Sequence, residues 1–347
     1  MKRYDWHTLS QSGQEQLLRR PALDNSSNLH QQVTDIVECV RTDGDAAVFQ
    51  LTEKLDGVRL PTLSVSQKEF DQAKILLGED DRDAICAAAT NIERFHQAQL
   101  PDSLSIETMP GVRCERLTRP ISEVGLYVPA GNAPLPSTAL MLGIPARLAG
   151  CPTRVLCSPP QADGSIHPAV LYAAQICEIS AVFKVGGAQA IAAMAYGFFG
   201  NAPADILVGP GNQFVAEAKR ILFGKVGIDL FAGPTEIAVI ADETADPEIV
   251  AFDLVGQAEH GYNSPAWLFT TTKKLAEDVM KRVPELIANL PEIPKTSADA
   301  AWKDYGEIIL CNTDEEMATF SDEYAPEHLE VQAKNLKWFH ERLKNYG

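Results

Sequence analysis

The spacing of hydrophobic and polar positions changes along the chain, and each spacing predicts a different kind of element. Over the first hundred residues apolar positions recur with a period near 3.6, which predicts helices at 14–18, 29–41, 46–55 and 66–99. Polar and apolar residues then alternate over 103–107 and 112–117, on either side of the turn signal Met109-Pro110-Gly111. This alternation predicts a hairpin with one half-buried face.

From Val124 onward, short apolar strands alternate with helices, which is typical of parallel sheets joined by crossover helices. The first series has predicted strands at 124–128, 154–157, 182–185 and 205–208, with helices at 137–148, 169–177, 188–196 and 211–223. The second has strands at 237–240 and 266–269, with helices at 246–260 and 273–288. The repeated order predicts an α/β fold of two similar units. Residues 290–294 are predicted to be an exposed connection.

Composition narrows the class of partner. The chain has 347 residues, of which 45% are hydrophobic and 22% charged, enough for two or three soluble domains. Its net charge of −17 argues against nucleic acid and anionic lipid as partners, because both would be repelled. Neither a signal-peptide core nor an apolar stretch of membrane-spanning length is evident. We therefore expect a cytoplasmic protein that acts on small molecules, with no nucleic-acid or membrane partner.

The seven cysteines contain no CxxC pair, which is typical of reduced thiols. Cys86, Cys157 and Cys177 lie in apolar runs and are predicted to pack in the interior. Cys114 and Cys151 could in principle capture an aldehyde, but no neighbouring residue is placed to lower the pKa of either thiol. Packing is therefore the preferred interpretation for these two as well.

Two glycine-containing turns are candidate nucleotide contacts. Gly186-Gly187-Ala188-Gln189 and Gly209-Pro210-Gly211-Asn212 each follow a predicted strand and open a helix. Backbone N–H groups in such a turn can approach a phosphate or a ring closely. Neither turn completes the GxGxxG pattern of dinucleotide binding, so a nucleotide site and a simple tight turn both remain open.

Gln257 and His260 are candidate metal ligands. They lie three residues apart near the end of a predicted helix, on one face, with Gly261 as the predicted C-cap. An amide oxygen and an imidazole can supply two ligands to zinc. The alternative is that His260 only complements the helix dipole.

The segment Tyr324-Ala325-Pro326-Glu327-His328-Leu329 carries a candidate acid–base pair. Proline favours the first turn of a helix, and a helix amino end keeps a carboxylate ionised and an imidazole neutral. Glu327 and His328 would then be in the protonation states that general acid–base chemistry requires. Adjacent polar residues at a helix start are also common on protein surfaces, so that alternative stays open.

Six segments, taken together, resemble the histidinol dehydrogenase family. They occur in the family's order and cover nearly the whole chain. The segments are Val124-Gly125-Leu126-Tyr127-Val128-Pro129, Val185-Gly186-Gly187-Ala188-Gln189-Ala190, Gly209-Pro210-Gly211-Asn212, Ala232-Gly233-Pro234-Thr235-Glu236, Gln257-Ala258-Glu259-His260-Gly261 and Ala325-Pro326-Glu327-His328-Leu329.

The resemblance implies an enzyme that depends on NAD and zinc and oxidises L-histidinol through a held aldehyde to L-histidine. By matching position, the NAD contacts would be Tyr127, Gln189 and Asn212. The expected oxidation uses two NAD in succession and is the last step of histidine biosynthesis. Zinc would hold the substrate in place and would not generate the nucleophile.

The same resemblance assigns the remaining site residues. Gln257 and His260 would be zinc ligands that also meet the substrate, and Thr235 would contact the substrate where many members have serine. Glu327 and His328 would be the catalytic acid–base pair, with His328 also in contact with the substrate. In this scheme His328 removes the hydroxyl proton and Glu327 activates the water that attacks the aldehyde.

The fold implied by the resemblance consists of two related, incomplete Rossmann-like units, one inserted in the other, with a helical amino-terminal region. Residues 1–25 would form a small amino-terminal segment. Residues 26–126 and 236–347 would form a discontinuous α/β domain carrying the zinc ligands and the acid–base pair, and 127–235 an inserted NAD-binding domain. A homodimer is also implied.

Parts of the later half are similar to paralogues that oxidise other primary alcohols, such as sulfopropanediol dehydrogenase. The segments concerned are Asp229-Leu230-Phe231-Ala232-Gly233-Pro234-Thr235 and Asn263-Ser264-Pro265-Ala266-Trp267. A paralogous alcohol dehydrogenase is therefore the alternative to histidinol oxidation, and a non-catalytic product of the same fold is a third hypothesis.

Family members continue past the position of Gly347 into a tail domain that bears an aspartate and a histidine, the other two zinc ligands. On that comparison the expectation is a zinc site that is incomplete in the sequence as written, with weak or absent metal, impaired activity and a weakened dimer.

Overall fold

The computed structural model describes residues 2–17, 27–130, 134–230 and 235–347. Packing divides the chain into two compact units, one formed by Met1–Leu23 with Pro234–Gly347 and the other by Asp24–Gly233. The last residue of the predicted helix at 14–18, and residues 232–234 of the family-like segment, lie outside the described residues.

The elements are numbered here in chain order. The helices are α1 (Gln11–Leu17), α2 (Ser27–Asp43), α3 (Asp45–Leu51), α4 (Gln67–Leu76), α5 (Glu79–Gln97), α6 (Pro136–Leu148), α7 (Pro168–Ile176), α8 (Gly187–Tyr196), α9 (Gln213–Leu222), α10 (Pro247–Ala258), α11 (Lys273–Ala288), α12 (Glu292–Tyr305), α13 (Asp314–Tyr324) and α14 (Leu336–Arg342). The strands are β1 (Lys2–Asp5), β2 (Leu104–Met109), β3 (Val112–Arg116), β4 (Glu123–Tyr127), β5 (Thr153–Ser158), β6 (Ala181–Lys184), β7 (Ile206–Val208), β8 (Gly227–Ile228), β9 (Ile237–Ala241), β10 (Ala266–Thr270), β11 (Gly306–Leu310) and β12 (His328–Gln332). A 3-10 turn covers Trp6–Thr8 and a π-helical turn covers Thr52–Asp56.

The unit that contains the chain ends has a five-stranded parallel sheet in the order β1-β11-β10-β9-β12. Its central strands are apolar at successive positions because both faces are covered. Val239 and Leu268 face a core built with α10, α11 and α12. Ile240 and Phe269 face the opposite core, where α13 and α14 pack. The α/β class predicted from the sequence is confirmed.

The other unit has a parallel sheet in the order β6-β5-β4-β7-β8. One face packs against α2, α3, α8 and α9, and the other against α4 to α7. Residues 26–126 were predicted to join 236–347 in one domain. The structure differs, because α2 and α3 bury their apolar faces on α8 and α9, while α4 and α5 pack on α6 and α7.

Three local predictions need correction. The run 66–99 forms two helices, because α4 ends at Leu76 and α5 begins after Gly78, its N-cap. Residues 290–294 are more than a connection, since α12 begins at Glu292. The hairpin of β2 and β3 has no half-buried face, because every residue of both strands is exposed in this chain.

Among the described helices, none combines the length and the apolar content needed to cross a bilayer.

Candidate active site

The carboxyl ends of β4 and β7 lie against each other in the unit formed by residues 24–233. Tyr127 ends β4, and Gly209 follows β7 with φ +131°. A Cβ atom at position 209 would lie 2.1 Å from the carbonyl oxygen of Tyr127, so only glycine fits there. The second glycine turn of the sequence is therefore required by a close approach of two backbones.

The Gly186–Gly187 turn at the start of α8 is already occupied by groups of the protein itself. Gly187 donates its backbone N–H to the hydroxyl oxygen of Tyr127 at 3.0 Å. Asp56, from the π-helical turn, accepts the backbone N–H of Gly186 and the Nε2–H of Gln189, the latter at 3.1 Å. A carboxylate thus fills the anion position that the sequence offered to a phosphate.

Asp56 is a residue that the sequence reasoning missed. It lies 133 positions from Gln189, in a segment without any recognisable motif. Burial raises the pKa of its carboxyl, although the bonds from Gly186 and Gln189 act in the opposite direction.

Gln189 has a fixed amide with one unused oxygen. Its side chain is only 1% exposed, and Nε2 is committed to Asp56. Its Oε1 is buried and has no hydrogen-bond partner among the described residues. A buried acceptor of this kind is costly unless a water or a ligand satisfies it. Tyr127 is also buried, and burial raises the pKa of its hydroxyl.

Asn212 is the exposed member of the three expected NAD contacts. Its Oδ1 caps α9 by accepting the N–H groups of Phe214 and Val215, at 3.0 and 3.2 Å. The cap leaves the amide N–H groups of Asn212 available to a ligand. Tyr127 ends β4, Gln189 lies in the first turn of α8 and Asn212 follows β7, so all three lie near the carboxyl edge of one sheet.

A buried ion pair supports the turn that presents Asn212. Lys219 donates to the carbonyl of Gly209 at 3.0 Å and pairs with the carboxylate of Asp229. Asp229 in turn accepts the N–H of Gly209 at 2.8 Å. Both backbone groups of Gly209 are therefore held by charged side chains, which fixes the turn.

In the other unit, the segment that carries Glu327 and His328 lies between a helix and a strand. α13 ends at Tyr324, Ala325 adopts the left-handed conformation with φ +53°, and β12 begins at His328. The prediction that Pro326 opens a helix is wrong. A left-handed residue stops the helix one position before the proline, and the next residues join the edge of the sheet.

The tautomer of His328 follows from its hydrogen bond. Nδ1 lies 3.0 Å from the backbone carbonyl oxygen of Glu236, and because a carbonyl can only accept, Nδ1 carries the proton. In the neutral form of the ring, the lone pair is then on Nε2. Glu327 Oε2 lies 3.6 Å from Nδ1, and the two side chains are 40% and 53% exposed, so a ligand can reach both.

The side chain of Glu236 anchors the same segment. Its carboxylate is buried and accepts the backbone N–H of Glu327 and the hydroxyl of Tyr324, both at 3.2 Å. Tyr324 stacks on Trp267 with ring centroids 4.0 Å apart. Glu236 belongs to one of the family-like segments, but no sequence signal links it to Glu327, which is 91 positions away.

Gln257 and Thr235 are brought together at the amino end of β9. Gln257 Nε2 donates to Thr235 Oγ1 at 2.5 Å, which directs the amide so that Oε1 remains as an electron-pair donor. α10 ends at Ala258 with Glu259 as its C-cap, so the predicted cap at Gly261 is wrong by two residues. His260 lies just beyond the helix and is exposed.

The expected zinc site can be compared with the ligand atoms that the described residues provide. Gln257 and His260 supply one oxygen and one nitrogen, whereas structural and catalytic zinc sites use three or four protein ligands. Residues 2–17, 27–130, 134–230 and 235–347 contain no group of three or more His, Cys, Asp or Glu side chains placed to hold a metal ion. The donors described thus form part of a zinc shell and fit the complete group poorly.

The cysteines divide differently from the prediction. Cys157 and Cys177 are buried, and burial raises the pKa of both thiols, that of Cys177 to about 12. Cys151 is buried as well, whereas Cys86 is exposed and not packed in the interior. Cys114 is exposed on the hairpin.

Comparison with known proteins gives the family. The histidinol dehydrogenase family profile matches residues 18–347. A histidinol dehydrogenase homolog of Pelagibacter ubique is 53% identical over 318 residues, which cover 91% of this chain and 74% of that protein. Sulfopropanediol 3-dehydrogenase of Ruegeria pomeroyi is 44% identical, over 93% of this chain and 74% of that protein.

A solved structure agrees with the fold. The crystal structure of histidinol dehydrogenase from Elizabethkingia anophelis superposes with a TM-score of 0.93 at 40% identity, over all of this chain and 79% of that one. The match of profile, relatives and structure extends over nearly every element described above. The chain therefore belongs to the histidinol dehydrogenase family.

Proposed function

We propose that the protein is an NAD-dependent dehydrogenase that oxidises L-histidinol through L-histidinal to L-histidine. The observation that carries the proposal is the state of His328: Nδ1–H is bonded to the carbonyl of Glu236, and the lone pair on Nε2 is left for a substrate. An exposed imidazole with Nε2 open to a substrate, next to a carboxylate, is suited to general base catalysis.

The two catalytic side chains are assigned separate proton transfers. His328 Nε2 accepts the proton of the substrate hydroxyl in the alcohol step. Glu327 then accepts a proton from the water that attacks the aldehyde carbon, which is chemistry that the first step does not need. Thr235 and Gln257 contribute a hydroxyl and an amide near the same strand end, where they can orient the polar groups of the substrate.

We place the dinucleotide in the unit formed by residues 24–233 and propose that this unit is Rossmann-like. The strand order reverses between β4 and β7, and ligands of open parallel sheets bind outside the carboxyl ends of the strands at that point. Tyr127 and Asn212 border it, and the unused Oε1 of Gln189 is a hydrogen-bond acceptor in the same region. Bound NAD would supply the hydride acceptor.

Zinc is proposed as a second cofactor, with Gln257 Oε1 and His260 as donors. Because the described donors fit a complete zinc shell poorly, no chemical step is assigned to the metal here.

A paralogous alcohol dehydrogenase is the second candidate function. It is favoured by the 44% identity to sulfopropanediol 3-dehydrogenase, which is close to the identity with histidinol dehydrogenases. The acid–base pair would serve either alcohol, so the substrate is decided by measurement.

We also propose a homodimer, because the β2–β3 hairpin has apolar side chains that no other described residue of the chain covers. Leu104, Ile106, Met109 and Val112 are about half exposed, and an isolated two-stranded hairpin is marginally stable in water. The hairpin also carries acidic and basic side chains in alternation, including Glu107, which suits a self-complementary contact with a second copy.

NADH formation tests the proposed function. With NAD and added zinc, we expect turnover of L-histidinol to exceed that of sulfopropanediol, and His328→Gln to lower kcat about 100-fold or more, because the base is lost. His340→Gln, at an exposed histidine on α14, is the matched control and should leave kcat unchanged. Preferential turnover of sulfopropanediol would support the second candidate, and no NADH at any zinc concentration would contradict both.

A further inference from the structure

Glu236 contacts the acid–base segment through both its main chain and its side chain. Its carbonyl oxygen accepts Nδ1–H of His328, and its carboxylate accepts the backbone N–H of Glu327 and the hydroxyl of Tyr324. We propose that Glu236 is a positioning residue, whose carboxylate sets the place of Glu327 for the aldehyde step. The inference rests on the acid–base roles proposed above.

The position of Glu236 is itself rigid. It is 5% exposed and immediately precedes β9, where Ile237 donates its N–H to the carbonyl of Pro265 at 3.0 Å. β9 is flanked by β10 and β12 in the sheet, with Ile237 in register with Ala266 and His328. The backbone at this point is therefore held by the sheet, and the carboxylate of Glu236 can hold neighbouring groups in fixed positions.

Glu327 lies outside the regular elements, so its position depends on contacts with other residues. It follows the left-handed Ala325 and Pro326, after the end of α13 and before the start of β12. The Pro326–Glu327 peptide is instead held from outside these elements, and its carbonyl accepts the N–H of Gly347 at 3.0 Å. The carboxylate of Glu236 binds that peptide N–H directly, and Tyr324, stacked on Trp267, holds the carboxylate from the other side.

The two contacts predict different effects of side-chain substitution. The bond to His328 comes from the main-chain carbonyl, so it survives any change of side chain at position 236. The bond to Glu327 comes from the side chain of Glu236 and is lost when that side chain is too short to reach it. The aldehyde step, which uses Glu327, should therefore slow far more than the alcohol step, which uses His328.

Three variants at position 236 separate the effect of side-chain length from the effect of charge. Glu236→Gln keeps the length and can still accept from Glu327 while its amide faces Tyr324, whose hydroxyl can turn to accept. Glu236→Asp keeps the charge but is one methylene shorter, so it cannot meet both partners. Glu236→Ala removes both bonds. Glu243→Ala, an exposed carboxylate beyond the other end of β9, is the matched control.

The alcohol step is measured in stopped flow, as the rate at which the first NADH per active site forms from L-histidinol. The aldehyde step is measured as the steady-state rate with L-histidinal, and both assays contain NAD and zinc. Glu236→Asp and Glu236→Ala should lower kcat for L-histidinal about 100-fold, since a misplacement near 1 Å costs that much. The rate of the alcohol step should fall by a factor that is several times smaller. Glu236→Gln should stay within about threefold of the wild type on both substrates. The KM for NAD should not change in any variant.

The outcomes are distinct. Equal loss in the first hydride transfer and in the aldehyde step, or a slow Glu236→Gln with a fast Glu236→Asp, would overturn the proposal, because general stability or charge would then be the cause. If Glu236→Ala does not fold, the comparison of the Asp and Gln variants decides alone. Failure of the wild-type chain to form NADH from either substrate would instead contradict the proposed function, and Glu327→Gln measured in parallel confirms which step needs that carboxylate.

Discussion

At the residue scale, the chemistry available in each site is set by which atom of a side chain is already used. His328 has Nδ1 bonded to a carbonyl, so Nε2 is the basic atom. Gln257 donates through Nε2, which leaves its oxygen for a metal or substrate, and Gln189 does the same toward Asp56. Fixed polarity of this kind lowers the cost of ordering a side chain when a ligand binds.

Replacement of Asp56 tests whether the amide of Gln189 serves the dinucleotide. In Asp56→Asn, one oxygen can still accept from Gly186, but the new amide must donate, so Gln189 has to turn its own oxygen toward position 56. Gln189 would then present its donor Nε2, and not its acceptor Oε1, to NAD. We expect the dissociation constant for NAD, measured by titration calorimetry, to rise about tenfold.

The same variant should gain stability at neutral pH. Burial raises the pKa of Asp56, so the wild type is favoured with the carboxyl protonated and loses that stability as pH rises through the native pKa. Asp56→Asn has no such loss. Its melting temperature should equal that of the wild type near pH 4 and exceed it at pH 7. Glu53→Gln, at an exposed carboxylate on the same turn, is the control. In the binding experiment, an unchanged NAD affinity in Asp56→Asn would contradict the role of Gln189.

At the element scale, strand β12 and helix α10 bring two carboxyl groups together. Burial, followed by the hydrogen bond and charge of Asp253, raises the pKa of Glu330 to about 7. Gln332 donates to Asp253 at 2.7 Å, while His328 on the same strand acts to lower the pKa of Glu330. The pair is thus most favourable while Glu330 is protonated.

A pH series of melting temperatures tests this pair. Because the native pKa of Glu330 is raised, its contribution is fully present below its ordinary pKa and is lost as pH rises through about 7. Glu330→Gln should match the wild type at pH 4 and melt about 2 °C higher at pH 8.5, a small gain because the group is partly exposed and screened. Glu341→Gln, exposed on α14, should follow the wild type throughout. Parallel curves for Glu330→Gln and wild type would contradict the raised pKa of Glu330.

At the scale of the whole molecule, the two sheets present their candidate residues at opposite kinds of edge. Tyr127, Gln189 and Asn212 lie at or after carboxyl ends of strands. Glu236 and His328 lie at the amino ends of β9 and β12, where ligands of parallel sheets are seldom found. Similar strand orders therefore do not imply similar sites.

Assembly is tested on the hairpin. Ile106→Asp places a charge on an apolar side chain that is 52% exposed, and we expect it to convert a dimer to a monomer in light scattering after size-exclusion chromatography, because burying an unpaired charge is costly. Ile75→Asp, at an equally apolar and more exposed position on α4, is the control. A dimer that persists in Ile106→Asp at micromolar concentration would exclude the hairpin as the contact.

The sequence predicted the central strands and helices closely because their patterns are local. Apolar runs such as 237–240 and 266–269 became β9 and β10 almost to the residue. It failed where tertiary contacts override the local pattern. Alternation in the hairpin suggested a buried face, but the residues of β2 and β3 are exposed in the described part of the chain. Pro326 suggested a helix start where the chain turns into an edge strand.

The sequence by itself determined the α/β class, the family and the residues to examine, because apolar periodicity and ordered motifs are carried by neighbours in the chain. Only the tertiary structure decided which nitrogen of His328 is free, that Glu236 anchors Glu327, and that Asp56 occupies the turn before Gln189. Those contacts join residues 91 to 133 positions apart. Hydrogen-bond polarity depends on the partner that packing brings near, and no local pattern encodes that partner.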